Sequence, residues 1–168
     1  MYIGVISDTH GSFDDRVKKF LDPVDVIWHA GDFGGIVVAE KIAAFKPLLG
    51  VSGNCDGMDV RVSYPETQLF KAEGVVVAMK HIGGYPEHYD YPARRLIGRT
   101  LPEIFVCGHS HILRVMNDAK YNMLMINPGA CGHQGIHQTL TAVRFHIDDC
   151  RIHDMEVGEW NRINQTIQ

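Results

Sequence analysis

Residues 2–11, YIGVISDTHG, decide how the rest of the chain is read. A short apolar run, Tyr2 to Ile6, opens into a polar, glycine-containing stretch, which predicts a first buried strand followed by a loop. The same unit recurs. VDVIWHA (24–30) predicts a second strand ending at GDFGG, and LLGVSG (48–53) a third ending at GNCDG. Between them, Phe13 to Leu21 predicts a helix with Ser12 as N-cap. Ile36 to Phe45 has helical spacing and is stopped by Pro47. This alternation implies parallel strands joined by crossovers.

The second half changes rhythm. TQLFKAEGVVVAMKH (67–81) predicts two strands joined by a turn at Ala72 to Gly74, and Pro92 to Leu101 predicts a helix. IFVC, ILRVMND, NMLMIN, LTAVRFHI and RIHDMEV follow as strands, with turns at Asn117–Lys120 and Asp148–Cys150. A parallel first half and a hairpin-rich second half predict an α/β sandwich of two mixed sheets with flanking helices. The tail after Glu159 is expected to fray.

Composition bounds the rest. At 168 residues, the chain is expected to form one domain, residues 1–168, with a real core. Hydrophobic residues at 45% and charged residues at 21% fit a soluble globular protein. A net charge of −4 without a basic block argues against a stable nucleic-acid platform but not against a small phosphate substrate. The first residues lack the features of a signal peptide, and no apolar run approaches the ~18 residues of a membrane span. The expected localisation is therefore cytoplasmic. Cys55, Cys107, Cys131 and Cys150 form no CxxC pair and read as free thiols.

Each predicted strand ends in side chains able to hold a metal. These are Asp8 and His10, Asp32, Asn54, His81, and the pair His109 and His111 in GHSH. In an extended segment residues i and i+2 point the same way, so the GHSH histidines are expected to converge. Ligands of parallel α/β sheets lie beyond the carboxyl ends of the strands, so all seven groups are expected along one edge. Imidazole, carboxylate and one amide oxygen, without thiolate, suit Mn²⁺, Ni²⁺, Fe, Co²⁺ or Zn²⁺. Seven groups are too many for one catalytic ion and suit two ions sharing a carboxylate, roughly 3.5–4 Å apart. Gly31, Gly53 and Gly108 each precede a candidate ligand, where no Cβ can clash.

Taken together, SDTHG, HAGD, GNCD, His81, GHSH and NPGA resemble, in order and spacing, the calcineurin-like metallophosphoesterases, and especially their small YfcE-type phosphodiesterases. The resemblance covers residues 3 to about 158. It implies a four-layer α/β/β/α sandwich. It also implies a first metal on Asp8, His10 and His111, a second on Asn54, His81 and His109, and Asp32 bridging both. Manganese is the leading expectation for the two divalent ions. A water between them is expected to attack phosphorus in line, with Asp32, Asn54 and His109 as the catalytic residues closest to the reaction. Two departures stand out. Many relatives have His–Gly where this chain has His81-Ile82-Gly83-Gly84, and larger phosphatases have a histidine where this chain has Cys55. A thiol is a poor general acid, so diesters or activated esters are favoured, with His133 or His137 as substitute imidazoles.

Other residues have plainer readings. His29 reads as a hydrogen-bonded core histidine, and His88, His146 and His153 as surface or strand residues. Asp56 is read as orienting a loop, Cys55 as a packed thiol beside the substrate, and NPGA (127–130) as a tight turn. YPEHYDYPARR (85–95) either covers the site, with Arg94 or Arg95 meeting a phosphate, or is a solvated loop. The resulting expectation is a phosphodiesterase acting on a small phosphoester, with a homodimer possible. The alternatives are a phosphomonoesterase or nucleotidase on the same metals, and a non-catalytic scaffold, a role the superfamily is known to include.

Overall fold

The computed structural model describes residues 1–162 of the 168-residue chain. Ten strands and four helices are present among them, in the order β1 (Tyr2–Ile6), α1 (Asp15–Leu21), β2 (Val26–His29), α2 (Ile36–Phe45), β3 (Leu48–Gly50), α3 (Met58–Ser63), β4 (Thr67–Ala72), β5 (Val75–Lys80), α4 (Tyr91–Thr100), β6 (Ile104–Val106), β7 (Leu113–Asp118), β8 (Met123–Pro128), β9 (Thr139–Asp148) and β10 (Arg151–Asn161). The first sheet has the order β10-β9-β1-β2-β3 and the second β4-β5-β6-β8-β7. In the first, β1, β2 and β3 are parallel, and β9 and β10 add antiparallel. In the second, β5, β6 and β8 are parallel, with β4 and β7 antiparallel at the edges.

Strand alternation sorts the apolar residues into layers. Ile3, Val5, Trp28 and Phe145 from the first sheet pack against Val77, Met79, Ile104, Val106 and Ile126 from the second. The opposite face of the first sheet, with Ile6, Ile27 and Ala142, is covered by Val17 and Leu21 of α1, Val38 and Ile42 of α2 and Val60 of α3. The opposite face of the second sheet, with Ala78, Phe105 and Met125, is covered by Ala93 and Ile97 of α4. The result is the expected four-layer α/β/β/α sandwich.

Several local expectations need correction. Ser12 does not cap α1; Asp14 does, accepting from Arg16 N at 2.8 Å. The Ser12 hydroxyl is engaged elsewhere, donating to Thr9 O at 3.0 Å and accepting from His133 N at 3.1 Å. Helix α4 starts one residue early because Asp90 caps it, accepting from Ala93 N. Asn117 and Asp118 stay in the β7–β8 ladder, so that turn falls at Ala119–Asn122. The chain does not fray at Glu159: Trp160 and Asn161 pair with Leu140 and Thr139, and the Trp160 ring meets Phe20 edge-on at 5.5 Å. The remainder of that tail, residues 163–168, lies outside the described residues.

Candidate metal centre

The loops after β1, β2, β3, β5 and β6 run along one edge of the sandwich and bring the expected side chains together. Where β1 and β2 end, the chain stays paired, with Asp8 N donating to Gly31 O (2.9 Å) and His10 N to Asp32 O (3.1 Å). The two sheets are stitched at this edge by the NPGA segment and its neighbours: Cys131 N donates to Ser7 O and Gly132 N to Asp8 O, both at 3.1 Å. The buried Asn127 amide donates to Gly108 O at 2.8 Å and to Ser110 Oγ at 3.1 Å, bracing the GHSH loop.

The backbone there is strained. Asp8, His10, Asp32, His109 and His111 all have positive φ (55°, 42°, 58°, 69° and 57°). This left-handed region is uncommon for residues with a Cβ and costs on the order of 1 kcal/mol or more each. His109 and His111 are thus not in extended chain, and they do not converge on one point. His111 joins Asp8 and His10, whereas His109 joins Asp32 and His81, each trio offering ligand atoms within 4.8 Å of one another. The trios adjoin: Asp32 Oδ2 is 3.2 Å from His81 Nε2 and 4.0 Å from His10 Nε2. Asp8 Oδ1 is 3.3 Å from His111 Nε2 and 4.0 Å from His81 Nε2. Asn54 lines a cavity beside His81, with its amide nitrogen 3.3 Å from Cys55 Sγ.

The glycines before these residues make room for close approach. A Cβ on Gly53 would collide with Asp32, one on Gly108 with Ser7 Oγ, and one on Gly31 with the His81 ring.

Hydrogen bonds fix which nitrogen of two of the imidazoles faces the centre. His81 Nδ1 lies 2.7 Å from Ala30 O. A carbonyl only accepts, so Nδ1 carries a proton and Nε2 is the nitrogen turned toward the centre. His137 Nε2 donates to Gly132 O at 2.9 Å, which leaves His137 Nδ1 to accept from His111 Nδ1 at 3.2 Å. His111 Nε2 is then the nitrogen that faces inward, 3.2 Å from His10 Nε2. Asp8 Oδ1 and His81 Nε2 are buried and lack a hydrogen-bond partner among the described residues. Their near neighbours are other candidate ligands, His111 Nε2 for Asp8 and Asp32 Oδ2 for His81, and buried polar groups gathered this way are what a cation satisfies. The donor set therefore fits divalent metal.

The field agrees. Burial pushes the Asp32 carboxyl up, but the adjacent His81 and the hydrogen bond from Cys55 N (2.8 Å) bring it well below the ordinary carboxylate range. Asp8 is likewise lowered, its burial outweighed by His111, His81 and Ser7. Burial pushes His81 down, and Asp32 and Asp8 more than reverse it. His29 behaves differently. It accepts from Gly31 N at Nδ1 (3.1 Å) and meets Thr9 Oγ1 at Nε2 (2.9 Å), and burial drives its pKa down to about 3. It is a neutral core histidine, as its sequence context suggests.

The substrate-side candidates separate. The Cys55 thiol is exposed rather than packed, and Sγ falls within a group with His10 and Asp32. Burial and the Asp32 charge raise its pKa, so it stays a thiol. His133 is turned away toward Asp14, 2.9 Å from Oδ2, and backs the start of α1. His137 stands behind His111. Arg94 lies over the Tyr91 ring on α4, 5.8 Å from its centroid. The cation placed beside His109 is instead Arg114 of β7.

Helix α3 went unpredicted because six residues after a glycine carry little periodic signal. Its Arg61 donates to Asp56 O (2.8 Å) and Gly53 O (2.7 Å). Asp56 accepts from Gly53 N (2.8 Å) and Gly34 N (3.0 Å). The pair holds the loop that carries Asn54. Arg61 gave no motif signal, whereas Asp56 was legible as a loop-orienting residue.

Comparison with known proteins shows the family. The chain is 30% identical over 138 residues to a probable metallophosphoesterase of Methanothermobacter thermautotrophicus, covering 77% of each chain. Its fold superposes on a novel archaeal phosphodiesterase with TM-score 0.71 at 19% identity, covering 94% of this chain and 99% of the other. It also superposes on wild-type Vps29 complexed with Zn²⁺ from Entamoeba histolytica, with TM-score 0.72 at 17% identity, covering 97% and 100%. No helix among the described residues is long and apolar enough to cross a membrane. Residues 1–150 match the calcineurin-like phosphoesterase superfamily domain, which spans every loop of the centre described above, and the chain belongs to that superfamily.

Proposed function

We propose that this protein is a phosphodiesterase of small phosphoester substrates that uses two divalent cations, manganese foremost. One observation carries the reading: two adjoining trios, Asp8/His10/His111 and Asp32/His81/His109, share an edge at which Asp8 Oδ1 and His81 Nε2 are buried without partners. The first trio would hold one cation. The second, completed by Asn54, would hold the other, with Asp32 between them. Such a pair supplies an activated water and neutralises the phosphoryl oxygens.

The residues of the chain set up that chemistry. Ala30 O and the His137–Gly132 relay hold two imidazoles with Nε2 turned inward. Asp56 and Arg61 hold the Asn54 loop. Cys55 occupies the place where an imidazole would protonate a departing alkoxide, and a thiol does this poorly. That favours esters with good leaving groups and diesters over simple alkyl monoesters. The test is hydrolysis of bis-p-nitrophenyl phosphate beside p-nitrophenyl phosphate, after chelation and Mn²⁺ readdition. Mn²⁺-dependent cleavage with preference for the diester supports the reading. A preference for the monoester makes the protein a phosphomonoesterase, and no cleavage of either by protein carrying two Mn²⁺ removes the proposed activity.

A further inference from the structure

A cavity of about 340 Å³ opens beside the candidate centre, and His109 belongs to both. That volume is in the range of small-molecule sites. Its walls are mostly apolar: Ile82, Tyr85, Tyr89 and Ile112 line it, and Ile82 and Ile112 are 37% and 53% exposed. One cation faces in. The Arg114 guanidinium lies over the Tyr85 ring, 3.9 Å from its centroid. Among the described residues it makes no hydrogen bond or ion pair. Asp90, the acid in the lining, is engaged as the cap of α4. A half-buried guanidinium without an acceptor is a poor resting arrangement, and its planar fork suits a carboxylate or phosphate.

We propose that this cavity is the subsite for the organic arm of the substrate. An aromatic ring would lie against Ile82, Tyr89 and Ile112, and an anionic group on that ring would pair with Arg114. The substrate class is then an aryl or nucleobase-like phosphoester bearing a second negative charge. This rests on the phosphoesterase reading, which places the ester phosphorus next to His109. A purely apolar arm would leave Arg114 unanswered, and a small polar arm would leave the apolar walls wet.

The test separates the two ideas by measuring binding and turnover in one preparation. Methylphosphonate, phenylphosphonate and 4-carboxyphenylphosphonate, none of which can be hydrolysed at the P–C bond by this chemistry, are titrated by calorimetry into the Mn²⁺-loaded protein. Affinity is expected to rise about tenfold from methyl to phenyl and about tenfold again with the carboxylate. Arg114→Ala should remove the second gain and spare the first. Arg114→Lys should keep part of it, since charge remains and the fork is lost. Equal affinity for all three, no binding of any, or an undiminished carboxylate gain in Arg114→Ala overturns the subsite. Bis-p-nitrophenyl phosphate turnover is scored separately. The graded affinities without turnover would keep the subsite and end the phosphodiesterase reading, and turnover with flat affinities would do the reverse.

Discussion

His137 Nδ1 stands 3.2 Å from His111 Nδ1, with its other nitrogen held by Gly132 O at 2.9 Å. The relay fixes the His111 tautomer from behind, so an imidazole that never reaches the centre determines what the centre presents. Partners of this kind are worth about 10–100-fold in metal affinity. His137→Ala should therefore weaken Mn²⁺ binding by that factor at one of two sites, measured by titration calorimetry. Unchanged affinity at both sites would refute the relay.

Asp32→Asn keeps the acceptor for Cys55 N but loses the charge proposed to lie between the two cations. Turnover of bis-p-nitrophenyl phosphate should fall by about a thousandfold or more, given what a two-cation site contributes. The thermal midpoint of chelator-treated protein should change little. Full activity in this variant would contradict the shared-carboxylate arrangement.

His111→Phe removes one ligand from the Asp8/His10 trio and leaves Asp32/His81/His109 untouched. Elemental analysis after dialysis should show the metal content falling from two per chain toward one. An unchanged count would mean that His111 is not a ligand.

Gly108→Ala should destabilise the fold. Its Cβ would strike Ser7 Oγ and crowd Asp8 Oδ2 at 2.9 Å, at a junction of both sheets. Overpacking of this kind costs about 1–3 kcal/mol. Chemical denaturation would register the loss as a lower midpoint with unchanged slope.

Acid should weaken the metal-free protein before its carboxylates titrate. His29 is held neutral with a folded pKa of about 3, below its ordinary 6.5, so only the unfolded chain takes up that proton as pH falls between these values. Stability is thus full above about pH 6.5 and declines as pH drops toward 3. His81, raised in the fold, acts above that window and in the opposite sense. Denaturation midpoints at pH 7 and pH 4.5, with chelator present, should fall in the wild type and fall less in His29→Gln.

Much of this was legible because each loop of the centre follows an apolar run, and in three of them a glycine precedes the acid, amide or imidazole. The parallel first half and hairpin-rich second half pointed to two sheets, which Ile3, Val5, Val77 and Met79 hold face to face. Three things escaped for physical reasons. Helix α3 is too short to show a period. Ser12 and Asp14 are both good caps, and Ser12 is claimed by Thr9 and His133 across 121 residues of sequence. The separation of His109 from His111 was implied by the family resemblance but not by their i, i+2 spacing, because it depends on two left-handed residues. Arg114 likewise sits on an ordinary strand, and only the fold brings it to His109.

The most direct measurement is an anomalous difference map from crystals of this protein grown with Mn²⁺. Two peaks are predicted, one bounded by Asp8, His10 and His111 and one by Asp32, His81 and His109, with Asp32 touching both. A single peak, or none at full Mn²⁺ saturation, would contradict the two-cation centre.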